Sequence, residues 1–488
     1  MSAPARWDEL RLGDVAARTK NIDPSAFPDE VFELYSVPSF SEGSPEIVPG
    51  TAIKSAKQAV EPGDVLLCKI VPHINRVWVV GEKSDKRQIA SGEWIVYRGH
   101  GCDPSYLRCC LTEQSFRDRF MQTVAGVGGS LMRARPSEVA EIMVPLAPLE
   151  EQRRIVAKID SLVGKSRRAR GHLHRVPRLI DRYKQAVLAA AFRGDLTRDW
   201  RTLPANKGLV SPLLDVREQR SASPLSERRR KALNALPPAP DDFNELPTGW
   251  QWACIEEIAS DEPMSIQSGP FGSSLLHSEF TDEGKLVIGI DNVQDGYFSP
   301  GAQHRIPDKK FEELRRFQAR PEDVLITVMA TIGRVCVLPP DIEAAIITKH
   351  VYRITVDRRL TLPRFVAFGL RGSEAALEHM GANVRGQTRP GLNGEIVKAT
   401  YLPLPPLAEQ LEIIGRIEKA FNWIDRLAFE ATSARRLIDH LDQAVLAKAV
   451  RGELVPQDPN DEPAITILER IAAERPNAPN TRGRKRSV

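Results

Sequence analysis

The sequence is short of the features that mark most enzymes and membrane proteins. No apolar run approaches the ~18 residues needed to span a bilayer, and the amino terminus carries no signal-like apolar stretch. Six cysteines include no C-x-x-C pair, a pattern that suits reduced thiols in a bacterial-type cytoplasm better than a disulfide framework or a zinc site. There is no G-x-x-x-x-G-K-[ST] phosphate loop and no G-x-G-x-x-G, and Gly126-Val-Gly-Gly129 lacks the strand–helix context that would cradle a cofactor. Neither Asn-Pro-Pro-Tyr nor Asp-Pro-Pro-Tyr occurs, so base-amine methylation by this chain is not expected. Glu283-Gly284-Lys285 has no nearby Pro-Asp pair to make a nuclease site. The nine histidines show neither H-E-x-x-H nor any other metal-ligand spacing. Charge excess is nearly absent too: 68 Lys plus Arg against 64 Asp plus Glu leave +4 over 488 residues, which excludes a polybasic protein but not a local nucleic-acid patch. The chain therefore reads as non-catalytic, with no metal and no cofactor of its own, and its length predicts about three domains.

What the chain does have is a repeat. Residues 178–196 and 436–454 share thirteen of nineteen positions at an offset of 258, and the same offset relates Pro145, Pro148, Glu151, Gln152 and Ile159 to Pro403, Pro406, Glu409, Gln410 and Ile417. Upstream, Pro-Gly-Asp-Val-Leu-Leu at 62–67 matches Pro-Glu-Asp-Val-Leu-Ile at 321–326. The pattern is that of a tandem duplication, in which two divergent heads alternate with two similar helical blocks. The predicted organisation is a head at 1–147, a helical block at 148–199, a Pro-rich linker with a short helix at 200–246, a second head at 247–405, a second block at 406–454, and a tail at 455–488 expected to fray. The linker's basic run, Arg228 to Lys231, reads as a solvated surface.

Both heads read as mixed α and β, with strand-like runs at 64–70, 76–80, 324–328 and 334–338 and helical stretches at 104–121 and 363–380. In the first block, apolar or small residues recur at alternating steps of four and three. The seam runs through Ile155, Ile159, Leu162, Leu173, Ile180 and Val187, and returns in the second block at Ile413, Ile417, Ile424, Leu427, Ile438 and Val445. One reading is a core helix within each domain. The other, favoured by the length of the seam, is that the two blocks pair antiparallel as a coiled coil. Pro148 and Pro406 suit helix starts, Gly194 and Gly452 suit stops, and Pro177 should split the first block.

At this point the chain resembles a family, the DNA-sequence specificity subunits of type I restriction–modification enzymes. The resemblance rests on the twin Pro-Leu-x-Pro-Leu-x-Glu-Gln segments at 145–152 and 403–410 and the twin Gln-Ala-Val-Leu-Ala…Arg-Gly-[Asp/Glu]-Leu endings. In the heads it rests on Ser268-Gly-Pro-Phe-Gly-Ser273, Asp323-Val-Leu-Ile-Thr327, Thr331-Ile-Gly-Arg-Val335, Val37-Pro-Ser-Phe40 and Gly386-Gln-Thr-Arg-Pro-Gly-Leu392. It implies an α+β architecture of two target-recognition domains and two long helices related by a pseudo-two-fold. Each domain would read one half of a bipartite, asymmetric site in double-stranded DNA. It further implies a cytoplasmic complex with two methyltransferase subunits and two restriction (translocase–nuclease) subunits. S-adenosylmethionine, ATP and Mg would be used by those partners. The alternative is a specificity adaptor of a methylation-only or other phage-defence system without a nuclease.

Base reading favours Arg on guanine and Asn or Gln on adenine. By that chemistry the first head offers Lys69, His73, Asn75, Arg76, Arg133 and Arg135. The second offers Gln267, Ser268, Ser273, Arg334, Lys349, His350, Arg385, Gln387 and Arg389. The charge is unevenly spread. Residues 150–199 carry 13 Lys plus Arg against 6 Asp plus Glu, a balance of +7, whereas 1–149 carry 17 against 19 and 247–402 carry 17 against 20. Slightly acidic heads on a basic helix predict weak DNA binding by the chain alone.

Overall fold

The computed structural model describes residues 7–99, 101–125, 132–222, 225, 227–236, 239, 245–301, 303–384 and 391–474. Its fold is α+β, in two compact units: Met1–His174 with Ala431–Val488, and Arg175–Glu430. Each unit therefore holds one head together with parts of both helical blocks.

In the first unit a five-stranded sheet runs in the order Asn21–Ile22, Lys57–Ala59, Arg87–Ala90, Val31–Tyr35, Glu46–Pro49, with the central pair parallel. A three-stranded antiparallel sheet places Val65–Cys68 between Val77–Val79 and Trp94–Tyr97. The second unit repeats both arrangements. Gln318–Ala319, Ala345–Ile347, Lys285–Ile288 and His304–Ile306 form one sheet, again with the central pair parallel. Val335–Val337, Val324–Thr327 and Val351–Ile354 form the other, extended by Ile266–Ser268. The apolar runs that read as strands are fully buried at Val65–Cys68 and Val324–Thr327, which is why they alternate little. The helical stretches resolve into Pro104–Thr112 with Gln114–Gln122, and Pro363–Gly372 with Glu374–Val384.

Two long helical segments leave the heads. The first block starts after Pro148 as Leu149–Leu173, breaks at His174 and Arg175, and resumes as Val176–Phe192, with Pro177 in its opening turn where the missing N–H costs nothing. The second is one helix, Leu407–Val450, because Arg435 stands where the offset would put a proline. Gly194 and Gly452 follow the two ends with left-handed φ of 79° and 71°. The expected seam holds at Ile155, Ile159, Ile413, Ile417, Ile424 and Val445, all buried. Leu162, Leu173, Ile180, Val187 and Ile438 are half-buried, and Leu427 is exposed. Beyond the break the deepest burial is off the seam. Leu188 and Ala191 are fully buried rather than Val187 and Ala190, and Tyr183 is 62% exposed. Leu188 and Ala191 are buried in the second unit's core, as Ala449 of the second block is in the first unit's, so these positions pack on the heads rather than along the seam. Within the first unit, Arg170 bonds Asp439 and Asp442 while Arg154 bonds Asp461; within the second, Lys184 bonds Asp425 and Arg416 bonds Asp199. In the second unit, residues rising along the first block thus meet residues falling along the second; in the first, Arg170 meets the second block and Arg154 the segment after it.

Two expectations are corrected. The linker is built into the second unit through Leu213–Ala222 and Glu227–Asn234, burying Leu213, Val216 and Arg220. Arg229, expected in solvent, is buried and donates to Glu256 at 2.6 Å and to the Ala259 carbonyl at 2.8 Å. The tail does not simply fray either, since Ala464–Glu474 is a helix whose Ala464, Ile467 and Ile471 enter the first unit's core. The basic run from Arg482 to Arg486 lies outside the described residues.

Candidate nucleic-acid interface

In each head the polar loops converge at one end of one sheet. In the first, Leu67 pairs with Val77 and Cys68 with Trp94, so the loop 69–76 and the turn 91–93 leave the sheet together. The segment 132–134 joins them: Val71 N–H donates to the Met132 carbonyl at 3.1 Å and Ala134 N–H to the Lys69 carbonyl at 2.8 Å. Lys69, His73, Asn75, Arg76, Arg133 and Arg135 are thereby gathered around one sheet end. Lys69 Nζ donates to the Gly92 carbonyl at 2.6 Å, and Arg133 pairs with Glu93 at 2.9 Å. His73 is exposed. Asn75 is half-buried and gives its amide to the Leu111 carbonyl at 3.0 Å, closing the end of helix Pro104–Thr112. Arg76 is half-buried against Cys68, whose thiol burial pushes up. Arg135 pairs with Glu138.

The second head has the same geometry. Thr327 pairs with Val351, Ile326 with Val335 and Ser268 with Tyr352, so the loops 269–272, 328–334 and 348–350 share one end. Val328 N–H donates to the His350 carbonyl at 3.0 Å, and Leu392 N–H donates to the Val328 carbonyl at 2.9 Å. Lys349 is exposed, while His350 is half-buried, its pKa lowered by burial and by the Lys349 charge. Arg334 donates to Gln294 Oε1 at 3.1 Å. Gln267 and Ser268 sit in the strand itself, Ser268 buried. Gly269 is required by close approach, because a Cβ there would lie 2.0 Å from the Ile347 carbonyl oxygen. The side chain of Ser273 and the whole of Arg385, Gln387 and Arg389 lie outside the described residues.

The twin Glu-Gln pairs form a clasp at the root of each head. Trp7 Nε1 donates to Glu151 at 3.0 Å, and Trp250 Nε1 donates to Glu409 at 2.8 Å. Gln152 donates to the Ala147 carbonyl at 2.7 Å and accepts the Asp103 N–H at 2.7 Å; Gln410 donates to the Pro405 carbonyl at 3.0 Å and accepts the Leu362 N–H at 3.1 Å. The strand-to-helix junction is thus tied to the start of the first head helix in the same way twice. Both glutamines are fully buried, so removing either strands several polar groups at about 1–3 kcal/mol each.

The model of the Type I restriction modification DNA specificity domain matches residues 273–428. The EcoBI specificity subunit of Escherichia coli is 26% identical over 345 residues, 69% of this chain and 65% of its own length, so the match spans slightly under two thirds of that relative. A chain solved in work on complex assembly and conformational transition of the type I R-M system superposes with a TM-score of 0.68 at 22% identity, over 93% of this chain and all of that one. The HsdS subunit of Thermoanaerobacter tengcongensis superposes at 0.58, with 22% identity, over 93% of this chain and 99% of its own. The chain is therefore similar to specificity subunits of type I restriction–modification systems.

In this chain the signature residues divide by position. Glu151, Gln152, Glu409 and Gln410 hold the heads to the helices, whereas the loops at the sheet ends carry the candidate readers. Sequence reasoning missed Glu93 and Gln294, which orient Arg133 and Arg334 from segments with no signature of their own. Among the described residues no group of His, Cys, Asp or Glu is placed to hold a metal ion, and no helix is long and apolar enough to cross a membrane. All six cysteines are buried and free, and burial pushes the thiols of Cys102, Cys254 and Cys336 up to about 12, which suits packing rather than nucleophilic or metal chemistry.

Proposed function

We propose that this chain is the DNA-sequence recognition subunit of a cytoplasmic type I restriction–modification complex, each head reading one half of a bipartite, asymmetric site. The observation that carries the reading is the recurrence in both heads of one loop-bearing sheet end, fixed to its helix by the same Trp–Glu and Gln clasp. Lys69, His73 and Arg133 would meet DNA in the first head, and Arg334, Lys349 and His350 in the second. A tandem duplication is supported by the matched strand orders and the constant offset. An antiparallel coiled-coil spacer is supported by the ion pairs of Arg170 and Lys184, which run in the same sense. Two methyltransferase subunits using S-adenosylmethionine, and two restriction subunits using ATP and Mg, would supply the chemistry.

The test is to co-express the chain with its methyltransferase partner in a host without adenine methylation and sequence the methylated sites. A bipartite motif is expected, and exchanging residues 1–147 for those of another member should change one half only. No motif, or a change in both halves, would refute the reading.

A further inference from the structure

Five described non-glycine residues have left-handed backbone, and three of them lie in the two corresponding loops: Val71 (φ 47°) and Asn75 (φ 49°) in 69–76, and Ala330 (φ 62°) in 328–334. For a β-branched residue such as Val71 this is a true outlier, and such strain gathers where the surrounding structure enforces it for a purpose. Both loops are enforced. Val71 is pinned to Met132 and Asn75 to Leu111, Ile74 N–H closes on the Val71 carbonyl at 3.1 Å, and Gly333 N–H closes on the Thr327 carbonyl at 2.9 Å. The contortion holds an apolar side chain in water in each loop, Ile74 at 48% and Met329 at 38% exposure. Each shares its sheet end with cations, Lys69 and Arg133 in one head and Lys349 in the other.

We propose that Ile74 and Met329 are thymine readers, each packing on the C5 methyl of one thymine in the major groove of its own half-site. Of the base-pair edges in that groove only A·T and T·A present a methyl, and the neighbouring cations would draw in the phosphates that bring it within reach. The assignment rests on the recognition reading above. Its rigid, propped loops make the contact without ordering a flexible chain on binding.

The test uses the full chain assembled with its methyltransferase subunits and duplexes of the recognised sequence, with each thymine replaced in turn by deoxyuridine, which lacks only the methyl. One replacement in each half should lower affinity about fourfold, the worth of one buried methyl group. Ile74→Ala should abolish that sensitivity in the first head's half and Met329→Ala in the other, each variant keeping the untouched half as its internal control of folding. A half-site without thymine, no effect of any replacement, or sensitivity that survives in the variants would overturn the assignment. So would loss of methyltransferase assembly by either variant, which would make the side chain a protein-docking residue. If no bipartite motif is methylated at all, the recognition reading falls and this assignment with it.

Discussion

Gly63 and Glu322 occupy the same turn in the two heads, each directly before a buried aspartate whose carboxylate accepts the N–H three residues upstream, Glu61 for Asp64 and Arg320 for Asp323. Both backbones are left-handed, φ 84° and 66°, a conformation that costs a non-glycine residue roughly 1–2 kcal/mol. Glu322→Gly should therefore raise the stability of the second unit by roughly 0.5–1 kcal/mol, read as an upward shift of its urea midpoint. The half-exposed ion pair it removes, to Arg358, is worth little. A lower midpoint would sink the argument. At this scale the sequence was informative where a motif recurs, because Asp64 and Asp323, and Gln152 and Gln410, each have a partner at nearly constant offset. It was silent on Glu93 and Gln294, whose value depends on an arginine brought beside them from 40 residues away.

At the scale of elements, helix limits were legible because they depend on local chemistry: Pro148 at a start, Gly194 and Gly452 past the ends, Pro177 at the break. The linker and tail were not, since arginines and aspartates in a Pro-rich stretch look solvated until partners arrive. Helix Leu213–Ala222 is held by Arg220, which donates to the Glu257 and Ala259 carbonyls at 2.6 and 3.0 Å and to Asp357 at 2.9 Å. Arg220→Met should free this helix and cost about 3 kcal/mol or more, because it leaves buried acceptors unmet. Burial pushes the Asp357 carboxyl up, but Arg359 and Arg220 more than offset this and hold it below the usual range. A lowered carboxylate pKa gives stability that is complete above the unfolded value of about 3.9 and is lost as pH falls through the folded one. Hydrogen exchange over 213–222 should therefore stay slow at pH 5 and quicken below about pH 4. Asp357→Asn should remove that pH dependence; an unchanged profile would show that Asp357 is not the acid-sensitive group.

For the whole molecule, the near-neutral charge is arranged so that the heads carry slightly more acid than base while residues 150–199 hold the excess of 13 against 6. Since phosphate neutralisation supplies most non-specific affinity, the chain alone should bind a duplex of its motif weakly. Affinity should rise at least tenfold when methyltransferase subunits are added at the same salt, measured by anisotropy; equally tight binding by the chain alone would refute a borrowed clamp. The sequence by itself determined the repeated plan and the long helices, because repetition and periodicity are properties of local order along the chain. Only the tertiary structure decided which residues share a sheet end, how the linker and tail are buried, and which helix residues pack on the heads. Those depend on backbone phase and on pairings between residues far apart in sequence, which no local pattern encodes.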